Sequence, residues 1–429
     1  MATTALLTDM YEYTMLSAML HDGTARNDAV FEAFARRLPE GRRFGLLGGT
    51  QRLLPLLQEF RFDEPTIGFL RECGAISDAA ADYLADFRFT GEVRGLPEGS
   101  VYWPGTPVLT VEGELGQCVL LETLVLSVLN HDSAIASAAA RMVIAAQGRP
   151  IIEMGGRRVH EEAAVAVARA AYLAGFGSTS NLEAGRRFGI PVAGTAAHAS
   201  VLARRSEREA FAAQVATSGP GTTILVDTYD IAEGIRTAID VAGPQLAGVR
   251  IDSGDLLVEA TRARALLDEL GATDTQISVT SDLDEYLMEH LQGAPIDRYG
   301  AGTRVATGSG HPTAGMVYKL VAVSDEPGGP RRSVAKASSS KRSVGGEKSV
   351  FRFPDGREVW TTDGTVPTGA EPVQVPLLRG GDAVGAEDLA TVRERVAREL
   401  AQLPAVARRI SAGTALRNSE EWDPAEEAE

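Results

Sequence analysis

Cysteine and long apolar runs are scarce in this 429-residue sequence, and both scarcities narrow the classes of protein to which it can belong. The two cysteines, Cys73 and Cys118, have no Cys or His at metal-ligand spacing and lie in partly apolar surroundings, so we expect buried, reduced thiols. The most apolar stretch, residues 118–129, is interrupted by Glu122 and is too short to span a bilayer. The first nine residues carry neither a basic region nor a cleavage site for secretion. These features predict a soluble, cytoplasmic protein.

Positive charge is also in short supply. The chain has 42 Lys and Arg against 58 Asp and Glu, which gives a net charge of −16 at pH 7. A chain this acidic repels nucleic acid and anionic membranes, so we expect neither as a partner. All four lysines fall in one stretch of thirty residues, at Lys319, Lys336, Lys341 and Lys348. Clustered ammonium groups suit a phosphate, and we predict that the segment 331–348 helps to hold ATP or pyrophosphate, although a solvated loop explains the cluster as well.

Four widespread catalytic motifs are missing. The sequence has no Gly-x-x-x-x-Gly-Lys-Ser/Thr loop, no Gly-x-Gly-x-x-Gly opening a helix, no His-Glu-x-x-His and no Gly-x-Ser-x-Gly. Their absence removes the commonest nucleotide-binding, dinucleotide-binding, zinc-protease and α/β-hydrolase classes. The composition is that of an ordinary globular protein, with 44% hydrophobic and 23% charged residues, and allows a core of good size.

The sequence does contain a regular alternation of strand and helix patterns between residues 150 and 323. About eight such units, the last strand being at 316–323, predict an α/β fold built as a parallel β/α barrel. The flanks mix short strands with helices, including a charged amphipathic helix at 387–411, and predict a second, mixed α+β domain built from both termini. We therefore place the barrel domain at 118–323 and the mixed domain at 1–117 plus 324–429.

Polar residues follow several of the predicted strands, at the ends that share one face of a barrel. Asp227 and Asp252 end two strand patterns, and the glycine-rich run at 300–303 follows another. Carboxylate oxygens suit a magnesium ion that bridges phosphates, whereas glycine N–H groups and a threonine hydroxyl suit a phosphate. Helix capping and a plain tight turn explain the same residues without a ligand, so both interpretations stay open here.

Four arginines and one histidine lie in or beside the same strand ends. Guanidinium groups bind phosphate and carboxylate through paired hydrogen bonds, which makes candidate anion ligands of Arg141, Arg157, Arg158 and Arg250. His198 follows a predicted strand and a Gly-Thr turn, a position that favours a functional role, although a lone histidine is more often structural.

Six short motifs together resemble those of the nicotinate phosphoribosyltransferases, a family of type II phosphoribosyltransferases. Each is weak alone, but jointly they are highly specific, and they occur in the family's order from residue 8 to about residue 348. They are TDMYEYTM at 8–15, EMGGRR at 153–158, GFGSTSN at 175–181, GTAAH at 194–198, VRIDSGDL at 249–256 and GAGT at 300–303.

The resemblance implies a fold, a reaction and an assembly. The implied fold pairs a β/α barrel with a mixed domain built from both termini, in a homodimer whose active sites lie at the subunit interface. The implied reaction joins nicotinate to 5-phosphoribosyl 1-pyrophosphate, giving nicotinate mononucleotide and pyrophosphate for NAD salvage. The resemblance also implies Mg²⁺ as cofactor and ATP as co-substrate, with ATP hydrolysis proceeding through a phosphorylated histidine, here His198.

Individual roles also follow from the resemblance alone. The implied nicotinate-binding residues are Tyr11, which stacks on the ring from the neighbouring subunit, Thr195 and Arg250, which bind the carboxylate, and Met154, on the other face of the ring. The implied ligands of 5-phosphoribosyl 1-pyrophosphate are Arg141 and Arg157 for the pyrophosphate and Gly302 with Thr303 for the 5′-phosphate. The implied catalytic residues are His198, Asp227 and Asp252, and the two aspartates also lie around the metal and the ribose.

Two positions depart from the family's pattern, and two other functions compete with the one proposed. Met154 stands where the family usually has Phe, and Ala199 follows His198 where a hydroxyl residue is frequent. A nicotinamide phosphoribosyltransferase has an Asp in the segment corresponding to 194–197, which here is Gly-Thr-Ala-Ala and so favours a carboxylate substrate. A barrel kept as a non-catalytic sensor or scaffold is disfavoured by the intact His198, Arg250 and acidic clusters.

Overall fold

The computed structural model describes residues 3–336 and 343–423. The chain divides into two compact units, which we call the terminal unit and the middle unit. The terminal unit contains the residues up to Ala134 together with those from Thr313 onward, and the middle unit is Ile135–Pro312. The domain limits predicted at 117/118 and 323/324 both fall within the terminal unit and stay a prediction.

A six-stranded parallel sheet forms the centre of the middle unit. In spatial order its strands are Ser178–Thr179, Ile151–Glu153, Arg298–Ala301, Gln276–Val279, Gly248–Ile251 and Thr223–Leu225. The helices of this unit are the C-terminal half of Glu122–Ala146, then Glu161–Leu173, Leu182–Phe188, His198–Leu202, Glu207–Ser218, Ile231–Ala242, Leu256–Glu269, Glu285–His290 and Thr303–Ala306, with 3-10 turns at Leu291–Gly293 and Gly308–Gly310. Because the strands are parallel, the residues that follow them meet at one edge of the sheet.

The structure differs from the predicted eight-stranded barrel at two strands. The predicted strand at 190–194 makes only an isolated bridge, between Val192 and Thr179. The predicted eighth strand forms, but its placement in the parallel sheet is wrong, because Met316–Ser324 belongs to the terminal unit and pairs antiparallel with Asp28–Ala35. Alternating hydrophobicity indicates a strand but not the sheet in which that strand pairs. Among the described residues no strand pairing joins the two edges of the parallel sheet, so the α/β fold is confirmed and closure into a full barrel stays a prediction.

Two acidic residues follow each of two strands, and in each pair the second residue caps the next helix. The side chains of Asp230 and Asp255 each accept hydrogen bonds from backbone N–H groups in the first turn of the helix that follows. Asp227 and Asp252 lie three residues before these caps, so capping does not require them. Helix capping therefore explains Asp230 and Asp255 without a ligand, and it does not explain Asp227 or Asp252.

The terminal unit is built on a seven-stranded antiparallel sheet to which both ends of the chain contribute. Its strands, in spatial order, are Arg331–Ser333, Met316–Ser324, Asp28–Ala35, Leu109–Glu114, Glu92–Gly95, Val375–Arg379 and Asp382–Ala383. A four-stranded sheet contains Glu371–Pro372, Ser349–Arg352, Glu358–Thr361 and Glu420–Glu421, and a two-stranded sheet contains Gly45–Leu46 and Val101–Tyr102. The helices are Met10–Asp22, Thr50–Gln58, Glu64–Glu72, Asp78–Ala85, Leu115–Val119, the N-terminal half of Glu122–Ala146, and Leu389–Gln402, with a 3-10 turn at Thr24–Arg26.

The C-terminal amphipathic helix is shorter than the predicted 387–411. It covers Leu389–Gln402, and the Asp388 side chain caps its start. Pro404 lies two residues beyond its end, where a proline cannot donate the next backbone hydrogen bond of the helix.

The structure also tests two expectations drawn from composition. Cys118 is buried as expected, and burial raises the pKa of its thiol. The expectation is wrong for Cys73, which is exposed at the C-terminal end of the helix Glu64–Glu72. No helix in the described part of the chain combines the length and apolarity needed to cross a membrane.

One lysine of the cluster is a buried structural residue. The Lys348 ammonium donates to Glu32 Oε2 at 2.8 Å and to two backbone oxygens, and it lies 5.3 Å from the centre of the Trp360 ring. Both members of the ion pair are almost fully buried. The predicted role in ATP or pyrophosphate binding is therefore wrong for Lys348, because all three of its donors are used. Lys336 is exposed, and Lys341 lies outside the described residues.

Replacing Lys348 by methionine is expected to destabilise the protein strongly. The substitution removes the ammonium group that pairs with the buried Glu32 carboxylate, and breaking a buried ion pair in this way costs about 3–5 kcal/mol. Urea unfolding followed by circular dichroism measures the loss as a lower midpoint. Lys336→Met, at an exposed position, is the matched control and should change stability by no more than about 0.5 kcal/mol. Equal midpoints for the two variants would contradict the structural role of Lys348.

Candidate active site

The C-terminal ends of the parallel strands in the middle unit surround a cavity of about 170 Å³. Its lining residues are Met154, Arg157, Arg158, Arg250, Asp252, Thr280, Ser281, Asp282, Gly300, Gly302 and Thr303. The structure thus brings together eight of the residues singled out from the sequence: Met154, Arg157, Arg158, Arg250, Asp252, Gly300, Gly302 and Thr303.

Three of the lining residues were missed by sequence reasoning. Thr280, Ser281 and Asp282 directly follow the strand Gln276–Val279, and this polar run at a strand end is the signal that could have identified them. The φ angles of Ser281 and Asp282 are +102° and +43°, in the region that favours glycine. Each such residue costs on the order of 1–3 kcal/mol, and backbone strain of this kind is concentrated at ligand-binding turns.

His198 faces two carboxylates. Its Nε2 lies 4.0 Å from Asp227 Oδ1 and 3.9 Å from Asp252 Oδ2. Its Nδ1 lies 3.2 Å from the hydroxyl of Thr228, a hydrogen bond that orients the ring. The side chain is 40% exposed, so a ligand can reach Nε2 from solvent.

Asp227 has one carboxylate oxygen satisfied and the other not. Its Oδ2 accepts hydrogen bonds from the backbone N–H of Asp252 at 2.8 Å and from the hydroxyl of Ser253 at 2.6 Å. Its Oδ1 is buried and has no hydrogen-bond partner among the residues described. Leaving a buried acceptor unsatisfied costs about 1–3 kcal/mol, so this oxygen, 4.0 Å from His198 Nε2, marks a position suited to a bound cation or proton.

Arg250 has a buried hydrogen-bond donor that is not satisfied. Its Nη1 donates to Thr195 Oγ1 at 2.8 Å, and its Nη2 lies 3.9 Å from Asp252 Oδ2. Its Nε is buried, and within the described chain it finds no acceptor. The resemblance assigns Thr195 and Arg250 to the substrate carboxylate. The structure places them in direct contact, and Arg250 Nε remains as a donor for an anion.

Glycine at two positions keeps one wall of the cavity open. A Cβ atom at Gly300 would lie 2.5 Å from Thr280 Cγ2 and 3.0 Å from Met154 Sδ. A Cβ at Gly302 would lie 3.3 Å from the backbone oxygen of Met154. Side chains at these positions would displace the neighbouring wall, so the small residues after the strand Arg298–Ala301 define the shape of the cavity.

Arg157 and Arg158 lie in a turn that follows the strand Ile151–Glu153. Both are exposed, and neither pairs with an acid in the part of the chain that the structure describes. Glu153, at the base of this turn, is buried, and burial raises the pKa of its carboxyl group. The turn therefore offers the cavity two guanidinium groups that no protein carboxylate neutralises.

Two residues given a role by the resemblance have other surroundings, and their roles stay predictions. Arg141 is buried, its Nε donates to Glu285 Oε1 at 3.0 Å, its guanidinium lies over the Tyr286 ring, and it does not line the cavity. Tyr11 belongs to the terminal unit, where it lies on the helix Met10–Asp22 with 43% of its surface exposed.

Asp227 and Asp252 fit a magnesium site that a substrate completes. Asp227 Oδ1 and Asp252 Oδ2 lie on the same side of the site, because each is within 4.0 Å of His198 Nε2. The described residues contain no group of three or more His, Cys, Asp or Glu side chains arranged to hold a metal by themselves. Mg²⁺ commonly takes one or two protein carboxylates and completes its shell with water and substrate phosphates, so two aspartates are sufficient.

A larger cavity, of about 540 Å³, lies in the terminal unit. The guanidinium of Arg352 in its wall already binds Glu358 and Glu399. Because these acids already pair with that guanidinium, we place the candidate active site at the smaller cavity, which is lined by Arg250, whose buried Nε has no acceptor among the described residues.

Comparison with known proteins agrees with this geometry. Residues 6–130 match the model of the nicotinate phosphoribosyltransferase N-terminal domain. The chain is 51% identical over 424 residues to nicotinate phosphoribosyltransferase pncB1 of Mycobacterium tuberculosis, covering 95% of this chain and 93% of that protein. It is 38% identical over 360 residues to the nicotinate phosphoribosyltransferase of Bacillus subtilis, covering 81% and 73%.

A solved structure extends the similarity to the whole fold. Human nicotinic acid phosphoribosyltransferase superposes with a TM-score of 0.82 at 25% identity, covering 98% of both chains. Identity above half across nearly the whole length, together with this superposition, leaves one assignment: the chain belongs to the nicotinate phosphoribosyltransferase family.

Proposed function

We propose that this protein transfers the phosphoribosyl group of 5-phosphoribosyl 1-pyrophosphate to nicotinate, releasing pyrophosphate and forming nicotinate mononucleotide for NAD salvage. One observation carries the proposal within the family. Arg250 Nε and Asp227 Oδ1 are buried near the C-terminal ends of two neighbouring strands, and neither atom has a hydrogen-bond partner among the described residues. A cationic donor without an acceptor suits a substrate carboxylate, and a carboxylate oxygen without a donor suits a cation bound to phosphate.

Recognition of nicotinate is assigned to Arg250 and Thr195. The guanidinium offers only donors, and a carboxylate offers only acceptors, so the two groups match. The amide of nicotinamide has an NH₂ group, which would meet guanidinium donors unless an acid stood nearby to accept from it. The segment 194–197 supplies no such acid, and Asp252, whose Oδ2 lies 3.9 Å from Arg250 Nη2, is assigned to the magnesium ion, which supports nicotinate as the substrate.

Transfer requires stabilisation of charge rather than a strong base. The pyridine nitrogen forms a bond to C1 of the ribose as the bond from C1 to the pyrophosphate oxygen breaks, and the bonding electrons leave on that oxygen. Arg157 and Arg158 would neutralise the charge that develops on the leaving group, and Gly302 and Thr303 would hold the 5′-phosphate. When bound by Asp227 and Asp252, Mg²⁺ would supply further positive charge to the pyrophosphate.

We further propose that His198 accepts the γ-phosphoryl group of ATP on Nε2. A neutral imidazole nitrogen is nucleophilic near pH 7. In the proposed tautomer Nδ1 carries the proton and donates it to the Thr228 hydroxyl 3.2 Å away, which leaves Nε2 as the nitrogen with a free electron pair. As the N–P bond forms, the bond from the γ-phosphorus to the bridging oxygen of ATP breaks, and ADP leaves with that electron pair. The positive charge placed on the ring would be stabilised by the carboxylates of Asp227 and Asp252. Water then cleaves the N–P bond, which releases phosphate and regenerates the imidazole. Thr228 thus supplies the hydroxyl partner that Ala199 cannot.

The proposed enzyme is a homodimer in which Tyr11 of one copy reaches the site of the other. Support comes from an exposed apolar cluster on the described N-terminal segment, formed by Leu6, Leu7, Met10 and Tyr11. Contiguous exposed apolar surface commonly marks an interaction surface.

The proposed function is tested by substrate competition. With 5-phosphoribosyl 1-pyrophosphate, the protein is expected to convert nicotinate with a kcat/KM at least about 100-fold above that for nicotinamide or quinolinate, and ATP should stimulate the reaction. Product nucleotide and released pyrophosphate are measured together, with and without ATP. Equal use of nicotinamide would contradict recognition of the carboxylate, and no pyrophosphate release with any of the three would refute the reaction.

A further inference from the structure

A buried carboxylate to which the proposed reaction assigns no role lies beneath the turn that carries Arg157 and Arg158. Glu153 is the last residue of the strand Ile151–Glu153 and is 1% exposed. None of the described Lys, Arg or His side chains forms an ion pair with it. Burying a carboxyl group without a cation is costly, so its presence here calls for an explanation.

Glu153 binds the backbone of the turn on one side and the next strand on the other. Its Oε1 accepts a hydrogen bond from the N–H of Gly155, and its Oε2 accepts one from the hydroxyl of Thr179 at 2.5 Å. Its backbone oxygen accepts from the N–H of Ser180 at 2.8 Å. The side chain therefore ties the first residue of the turn to the neighbouring strand Ser178–Thr179.

Close packing holds the other side of the turn. A Cβ atom at Gly155 would lie 2.7 Å from Ala306 Cβ and 3.0 Å from the backbone oxygen of Gly302, so the turn rests directly on the segment that forms the opposite wall of the cavity. The N–H of Arg158 donates to the backbone oxygen of Gly155 at 2.8 Å and closes the turn. With Gly155 held from both sides, the backbone path of the turn that carries the two arginines is set before any ligand arrives.

We propose that Glu153 is a positioning residue, whose carboxylate holds the turn 155–158 so that Arg157 and Arg158 face the anion-binding cavity. The inference rests on the proposed function only for the identity of the anion, which is the pyrophosphate of the phosphoribosyl donor. Arginines on a loose turn would have to be ordered when the anion binds, and that ordering would lower affinity.

Thr179 is the second member of this arrangement and gives an independent variant. It is fully buried, its hydroxyl donates to Glu153, and its Oγ1 accepts from the N–H of Asn181 at 3.0 Å. Thr179→Val removes the hydroxyl at nearly constant volume, whereas Thr179→Ser keeps it. A phenotype in the first variant but not the second depends on the hydrogen bond rather than on packing.

The experiment measures binding of inorganic pyrophosphate by titration calorimetry, which does not depend on turnover. Glu153→Ala is expected to raise the Kd by about 10-fold or more, because the loosened turn must then be ordered when the anion binds. Glu153→Gln still offers an acceptor to Gly155 and a donor to Thr179, and should restore the Kd to within about threefold of the wild-type value. Thr179→Val should raise the Kd and Thr179→Ser should not. In turnover, Glu153→Ala should raise the KM of the phosphoribosyl donor without raising that of nicotinate.

A double-mutant cycle shows whether Glu153 acts through the arginines. In an Arg157→Gln background, the effect of Glu153→Ala on pyrophosphate affinity should be at least threefold smaller than in the wild type, because coupled residues are non-additive. Additive effects, an unchanged Kd in Glu153→Ala, or an equal rise in the KM of nicotinate would overturn the positioning role. If the wild type fails to convert nicotinate while the cycle still shows coupling, the proposed function is refuted and the positioning role stands.

Discussion

Replacing His198 by asparagine is expected to abolish both phosphorylation of the protein by ATP and the stimulation of phosphoribosyl transfer by ATP. Asparagine keeps a polar side chain but has no nucleophilic nitrogen at neutral pH, so it cannot form the N–P bond. We assign nicotinate and the phosphoribosyl donor to other residues, among them Arg250 and Arg157, so a slow ATP-independent transfer should persist. Incubation with γ-labelled ATP should leave acid-labile, base-stable label on the wild type and none on the variant.

His290→Asn is the matched control for this experiment. His290 is exposed at the C-terminal end of the helix Glu285–His290 in the same unit, so its replacement should change neither the label nor the stimulation. Label that persists in His198→Asn would place the phosphoryl acceptor on another residue. Stimulation of that variant by ATP would refute the coupling role of His198.

The second large effect is expected from Arg250→Lys. Lysine keeps the positive charge but replaces the planar fork with a single ammonium, which cannot reproduce paired hydrogen bonds to a carboxylate. Loss of a charge-assisted hydrogen bond of about 1.5–3 kcal/mol corresponds to a rise of about 10-fold to 100-fold in the KM of nicotinate. The KM of the phosphoribosyl donor should stay within about threefold of the wild-type value, because we assign its phosphates to other residues of the cavity.

Arg298→Lys makes the same substitution at the opposite end of a strand in the same sheet. Arg298 begins the strand Arg298–Ala301, and its guanidinium donates to Gln276 Oε1, away from the strand ends that line the cavity. The kinetics of this control should match the wild type. Nicotinate kinetics that are unchanged in Arg250→Lys, or changed equally in both variants, would refute the assignment of the carboxylate to Arg250.

Much of the candidate site could be predicted from the sequence, because its polar residues lie at or directly after the C-terminal ends of predicted strands. In a parallel sheet all C-terminal ends share one edge, so Asp252, Arg250 and the glycine run at 300–303 were expected to meet there, and they do line one cavity. The capping alternative could not be settled from spacing alone, since Asp227 and Asp230 are equally acidic and only three residues apart. The hydrogen bond from the first turn of the following helix identifies Asp230 as the cap and leaves Asp227 for the site.

Other features depended on contacts between residues far apart in the chain. The lysine cluster predicted a phosphate-binding segment, yet Lys348 pairs with Glu32, 316 positions earlier. The strand Met316–Ser324 continues the spacing of the middle unit, yet it pairs with Asp28–Ala35 in the other sheet. In both cases a local pattern gives the type of element or charge but not its partner.

By itself the sequence determined the family, the alternation of strands and helices, and the set of polar strand ends from which a site is built, because these are properties of short segments and of their order. Only the tertiary structure decided that Asp227 Oδ1 and Arg250 Nε are buried with no partner among the described residues, that Ser281 and Asp282 bear a strained backbone, and that Glu153 accepts a hydrogen bond from the turn beneath the arginines. The physical reason is that burial and hydrogen bonding are settled by what a residue meets across space, and distant segments reach those positions only when the chain has folded.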